Sequence, residues 1–113
     1  MTITSSRRGH VVVLTPDGNL MGGPDASQLN TQIHEFAEKG DTRVVVDLSS
    51  VSFMNSSGLG ILIGAAGTLR SAGGALRLAR ASEKIRALIT ITKLGPVLES
   101  FSSVEEAINS FPQ

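Results

Sequence analysis

The chain has 113 residues with 10 basic and 10 acidic side chains, so its formal net charge is zero. That length points to one domain, spanning 1–113, with a core of its own, and the balanced charge gives no bulk attraction to nucleic acid or an anionic membrane. There is no Cys, which removes disulfides, thiolate chemistry and Cys-based zinc sites, and four Phe with no Trp or Tyr offer little on which to stack single-stranded bases.

The first residues are a weak strand, Thr2 to Ser6, and a tight turn at Arg8-Gly9. The basic pair Arg7-Arg8 has no apolar run behind it, so the N-terminus does not read as a signal peptide. His10-Val11-Val12-Val13-Leu14-Thr15 is rich in β-branched residues and reads as a strong strand. Together the two predict a hairpin. Pro16-Asp17-Gly18-Asn19 is turn chemistry, because Pro presets φ while Asp and Gly tolerate the backbone angles of the later turn positions. Leu20-Met21 is a short extended piece at most.

Gly22-Gly23-Pro24-Asp25 opens a helix, with Pro suited to the first helical position and Asp25 to the positive end of the dipole. Ala26, Leu29, Ile33, Phe36 and Ala37 fall on one face, and Gly40 ends the helix. His34 reads as a solvated helix residue. His10 and His34 share no ligand spacing, so no metal or other cofactor is expected.

Arg43-Val44-Val45-Val46-Asp47-Leu48 is a continuous apolar run ended by polar residues, as in a strand covered on both faces of a parallel sheet. A helix is predicted from about Ser57 to Ala72. Leu59, Ile61, Leu62, Ile63, Ala65 and Ala66 leave it almost no polar face, which predicts burial. The run Leu59 to Ala66 is too short to cross a bilayer. Gly60, Gly64 and Gly67 lie on one stripe, which predicts close approach of another backbone. Gly73-Gly74 turns the chain into a short strand, Ala75 to Ala79.

Ser82 caps a helix running to about Lys93, with Ile85, Leu88, Ile89 and Thr92 on one face. Leu94-Gly95-Pro96 breaks it, and Val97 to Phe101 reads as a short edge strand. Ser103-Val104-Glu105-Glu106 is a capping box before a final helix whose apolar face is Val104, Ala107, Ile108 and Phe111. The pattern is α/β: a sheet of four or five strands with about four helices packed on it.

The informative stretch lies between the strand ending at Leu48 and the helix after it. Asn55-Ser56-Ser57 places two hydroxyls at a helix N-terminus, where unsatisfied N–H groups and the dipole favour oxygen ligands and negative charge. The plainest reading is that Ser56 or Ser57 caps the helix. Gly58 and Gly60 add low walls that a partner's backbone could approach closely.

Val45 to Gly60 closely resembles the signature of STAS domains, and more narrowly that of the bacterial anti-sigma factor antagonists. Their pattern is an apolar strand, Asp-Leu-Ser, then Phe-Met-Asp-Ser-Ser-Gly-Leu-Gly opening a helix. The resemblance runs along essentially the whole chain, with Gly18-Asn19-Leu20 where the family has a Gly-Glu-Leu turn. It implies a STAS fold with a mixed sheet and a cytoplasmic, non-enzymatic regulator. The unphosphorylated protein would bind an anti-sigma factor that is also a GHKL-type serine kinase, so freeing a sigma factor. Phosphorylation of the first serine, Ser56 here with Ser57 as the alternative, would end binding, and a PP2C-type phosphatase would reset it. Asn55, Ser56, Ser57, Gly58, Leu59 and Met21 would form the contact surface of a monomer or weak dimer. Two positions depart from the family: Asn55 stands where Asp is commoner, and Met21 where an acidic residue often follows the turn.

Two other readings fit the residues. One is a STAS module that binds constitutively, as a scaffold or accessory subunit, without a phosphate switch. The other is a nucleotide-binding protein using Gly58, Gly60 and Gly64 as a phosphate fingerprint. Against the second, the strand Leu76 to Ala79 is followed by Arg80 where a ribose-binding acid is needed. The basic residues Arg70, Arg77, Arg80, Lys84 and Arg86 read as solvated, with a rim around Ser56 as the alternative.

Overall fold

The computed structural model describes residues 2–93 and 98–112. Strands β1 (Thr2–Arg8) and β2 (Val11–Leu20) form an antiparallel hairpin through Gly9, which takes φ 64°. Helix α1 (Gly23–Glu38) leads to β3 (Arg43–Asp47), which pairs parallel with β2. Next come β4 (Val51–Met54), α2 (Ser56–Ser71), β5 (Ala75–Ala79), α3 (Glu83–Ile91), β6 (Ser100–Phe101) and α4 (Val104–Asn109). Among the described residues the sheet is mixed and six-stranded, in the order β1-β2-β3-β5-β6, with β4 pairing parallel to the far end of β2.

Alternation along the strands divides the core. Val12, Leu14, Val44, Val46, Leu76 and Leu78 face α1, α2 and α3, where Leu29, Ile33, Leu62, Leu69, Ile85 and Ile89 bury against them. Val11, Val13 and Val45 face the other way, onto Ala107 and Phe111 at the C-terminal helix. The unbroken Val44-Val45-Val46 run is therefore buried on both sides, as its composition predicts.

Two strand features depart from the sequence expectation. Pro16-Asp17-Gly18-Asn19 is not a turn; β2 runs through it to Leu20 with a register shift at Gly18/Asn19. The reason lies in the pairing. β2 meets β3 through Val12–Leu14 and β4 through Gly18–Leu20, so Pro16 sits where β2 changes partner and its missing N–H removes no bond from that side. The second departure is β4, which raises the sheet above the four or five strands expected. Its four residues come after a polar Ser49-Ser50 turn and show no clean alternation, with only Val51 and Met54 buried.

The glycine stripe faces the opposite way from expectation. Gly60, Gly64 and Gly67 are exposed, and a Cβ on any of them would meet nothing within 4 Å. The bulkier Leu59, Leu62, Ala65, Ala66 and Leu69 take the inner face of α2. Close backbone approach occurs instead at Gly58 and Gly74, where a Cβ would lie 2.0 Å from the Leu20 carbonyl oxygen and 1.9 Å from that of Thr42. His34 is half-buried rather than solvated, its Nε2 lying 3.4 Å from the Thr68 hydroxyl across the α1–α2 contact.

Helix ends follow their predicted caps in part. Ser82 accepts from the Ile85 N–H and Ser103 from the Glu106 N–H. The expected box at α4 is half formed, because the Glu106 carboxylate accepts from the Ser102 hydroxyl. The expected break at Leu94-Gly95-Pro96 and the start of the last strand at Val97 lie outside the described residues; the observed β6 is an edge strand parallel to β5.

Candidate functional site

The site is the N-terminal end of α2 and the strand ends beneath it. β4 delivers the chain to Asn55, whose extended backbone (φ −109°, ψ −178°) makes it the N-cap. Its side-chain Oδ1 accepts from the Gly58 N–H at 2.9 Å. The cap is therefore Asn55, not Ser56 or Ser57, which occupy the first two helical positions. Both serines are exposed, and neither hydroxyl is hydrogen-bonded among the described residues. Asn supplies the same acceptor oxygen as an Asp would, without its charge.

Three contacts hold this turn. The Asn55 N–H donates to the Leu20 carbonyl at 3.4 Å, tying the turn to the end of β2. Gly58 lies buried against that same carbonyl, leaving no room for a side chain. Leu59 points inward and is 1% exposed. The sequence-based contact surface included Gly58 and Leu59; their burial makes them the support of the turn, not its exposed face.

Met21 does lie at the surface, 43% exposed, one residue after the Leu20 anchor. It leads into Gly22, the N-cap of α1, held at φ 91°. A Cβ on Gly22 would sit 2.9 Å from the Ser57 Cβ. The N-termini of α1 and α2 thus meet side by side, with Ser57 backed by Gly22. No acidic residue lies in the first turn of α2. Sequence reading missed this role of Gly22; the two adjacent glycines before Pro24 were its only signal.

The carboxylate of Asp47 braces the far side. It is only 4% exposed, yet ionic. Arg80 donates through Nε to Oδ1 at 3.1 Å and through Nη2 to Oδ2, and the Ser49 N–H adds a bond to Oδ1 at 3.1 Å. Burial raises the pKa of Asp47, but the Arg80 hydrogen bonds, the Ser49 hydrogen bonds and the Arg80 charge outweigh it and leave the carboxyl below its ordinary value. Arg80 itself sits at φ 56°, an unusual conformation for a side chain of its size. The pair joins the C-terminal ends of β3 and β5 at the start of the Ser49-Ser50 turn.

The other basic residues separate. Arg77 belongs to the opposite face, donating to the Ser110 hydroxyl at 3.0 Å with its guanidinium 4.8 Å from the Phe111 ring centroid. Arg70, Lys84 and Arg86 form no ion pair among the described residues.

The arrangement presents two hydroxyls at the surface. No His or carboxylate is hydrogen-bonded to Ser56 or Ser57 among the described residues. The Gly58, Gly60, Gly64 spacing does not form a phosphate loop: the Gly58 N–H is taken by Asn55, and the other two glycines face outward along the helix. Among the described residues, no helix is long and apolar enough to cross a membrane.

Comparison with known proteins matches residues 2–107 to the STAS domain model. The anti-sigma-B factor antagonist of Bacillus subtilis is 32% identical over 84 residues, covering 74% of this chain and 75% of that one. Sequence alignment with a Thermotoga maritima relative reaches 27% over 74 residues and spans 66% of each length. The phosphorylated form of the Bacillus cell-fate determinant SpoIIAA superposes with a TM-score of 0.74 at 25% identity, covering 96% of this chain and 97% of that one. The strand order, the parallel β2–β3–β5–β6 set and the Asn-Ser-Ser-Gly-Leu-Gly entry to α2 all sit within the matched span. The chain belongs to the STAS domain family.

Proposed function

We propose that this protein is an anti-sigma factor antagonist that acts by binding rather than catalysis, with Ser56 as its phosphoacceptor. Its partner is an anti-sigma factor carrying a GHKL-type serine kinase domain. Binding of the unphosphorylated form frees a sigma factor, phosphorylation of Ser56 ends binding, and a PP2C-type phosphatase restores the starting state. The cycle runs in the cytoplasm.

The observation that carries this reading is the exposed Ser56 hydroxyl, unbonded among the described residues, at the first position of a helix already capped by Asn55. Because the cap is supplied elsewhere, Ser56 can be modified without removing a structural bond. Ser57 has Gly22 beside it, so close that a Cβ there would lie 2.9 Å from the Ser57 Cβ, and we assign the phosphate to Ser56 first. A phosphate adds about −1.5 to −2 charges at pH 7, enough to disrupt an interface formed around a neutral hydroxyl. At the α2 N-terminus the same charge meets the positive end of the dipole, so it favours the helix. The switch therefore alters the surface and leaves the fold intact.

The test is phosphosite mapping by mass spectrometry on protein isolated from its own host, wild type beside Ser56→Ala. Phosphate on Ser56 that disappears in the variant supports the assignment. Phosphate on Ser57 refutes the choice of serine, and unmodified protein under every growth and stress condition refutes the switch in favour of a constitutive module.

A further inference from the structure

A groove of about 300 Å³ runs between β4 and α3. Its walls include Ser52, Phe53 and Met54 from the strand and Lys84, Leu88 and Ile91 along one face of the helix. Phe53 is 48% exposed and Ile91 77%, two of the three large apolar side chains that stand well exposed among the described residues. Two such side chains converging on one groove is unlike the scattered single apolar residues of an ordinary surface.

A bulge interrupts β4 at Ser52, since Val51 and Phe53 pair with the adjacent Gly18 and Asn19, and Ser52, Phe53 and Met54 all line the groove. Among the described residues β4 pairs only with β2, which leaves its other edge free. Lys84 is the single charged lining residue, and it has no ion-pair partner among the described residues. The strand leads directly into Asn55 and Ser56.

We propose that this groove receives an extended apolar segment of a protein partner, added as a strand along β4 and carrying an acidic side chain that pairs with Lys84. The proposal rests on the reading that the Ser56 face meets a partner, and it places a second contact beside the switch. A second copy of this chain fits less well, because groove-to-groove pairing supplies no acid for Lys84: the lining residues include no Asp or Glu.

The test uses a phage-displayed library of short random peptides selected on the unphosphorylated protein, with amide NMR on a synthetic winner as the second step. Wild type is expected to enrich peptides with alternating apolar residues and one Asp or Glu, and to shift the amides of Ser52 to Met54 and α3. Ile91→Glu should weaken the selected peptide at least roughly tenfold. Lys84→Glu should change the selected charge from acidic to basic. Both positions are exposed, and an unchanged melting temperature verifies that each variant is folded. No enrichment, equal binding by Ile91→Glu, or amide shifts elsewhere would overturn the proposal. So would concentration-dependent dimerisation that Ile91→Glu abolishes, because the occupant would then be a second copy. The selection involves no kinase, so groove and phosphate switch can fail separately.

Discussion

The carbonyl oxygen of Leu20 lies so close to the backbone of Gly58 that a Cβ on residue 58 would come within 2.0 Å of it. The same carbonyl accepts from the Asn55 N–H. One peptide group at the end of β2 thus sets the height of the whole Ser56 turn. Gly58→Ala cannot be absorbed by a flexible side chain, because the opposing atom is backbone. We expect a loss of about 2–3 kcal/mol in chemical denaturation, with NMR shifts centred on Leu20 to Gly22 and Asn55 to Leu59. An Ala variant as stable as wild type would contradict this contact.

Asn55 and the two serines differ in what they do for α2. Asn55→Ala removes the cap and should cost about 1 kcal/mol, lowering the melting temperature by roughly 3–6 °C for a chain of this size. Asn55→Asp keeps the acceptor and adds a negative charge at the positive end of the dipole, so it should be neutral or stabilising by a few tenths of a kcal/mol. Ser56→Ala and Ser57→Ala should each change the melting temperature by less than Asn55→Ala does. A Ser56→Ala loss as large as that of Asn55→Ala would assign the cap to the wrong residue.

The Asp47–Arg80 pair gives the fold a defined acid limit. Asp47 has its pKa lowered in the folded state, so it binds a proton less readily there than in the unfolded chain. Its contribution is present above the unfolded carboxyl value, about 3.9, and is lost as pH falls through the lower folded value. Asp47→Asn should cost about 1.5–3 kcal/mol at neutral pH, the range for a hydrogen bond to a charged group. The difference from wild type should be flat from pH 7 to about 5 and shrink below about 4. Denaturation curves across that range measure it; a difference that grew on acidification would have the opposite sign and exclude a stabilising Asp47 carboxylate.

The sequence exposed the parts of the fold that rest on local pattern. The Val44-Val45-Val46 run, the Ser82 cap and the helix after Asn55 are each encoded within a few neighbouring residues. What stayed hidden depends on distant partners. Pro16 to Asn19 carries genuine turn chemistry, yet continues a strand because β2 exchanges β3 for β4 there. The outward glycines of α2 and the crowded Gly58 look alike in sequence; only the position of Leu20 separates them. At the site, the serines were legible as a polar helix start. The contact of Gly22 with Ser57 and the burial of Leu59 were not, since both arise where the two helix N-termini and the end of β2 come together. Asp47 meets Arg80 across adjacent β-strands, a pairing that no local window contains.

We propose Ser56 as a switch on a binding surface and not a structural element. The most direct measurement is affinity capture from lysate of the native host, using wild type beside Ser56→Glu at matched stability and reading the captured proteins by mass spectrometry. A switch predicts that wild type captures an anti-sigma factor with a GHKL-type kinase domain, that Ser56→Glu loses it, and that both baits melt within a few degrees of each other. Capture of the same non-kinase complex by both baits would contradict the switch and leave a constitutive interaction module in its place.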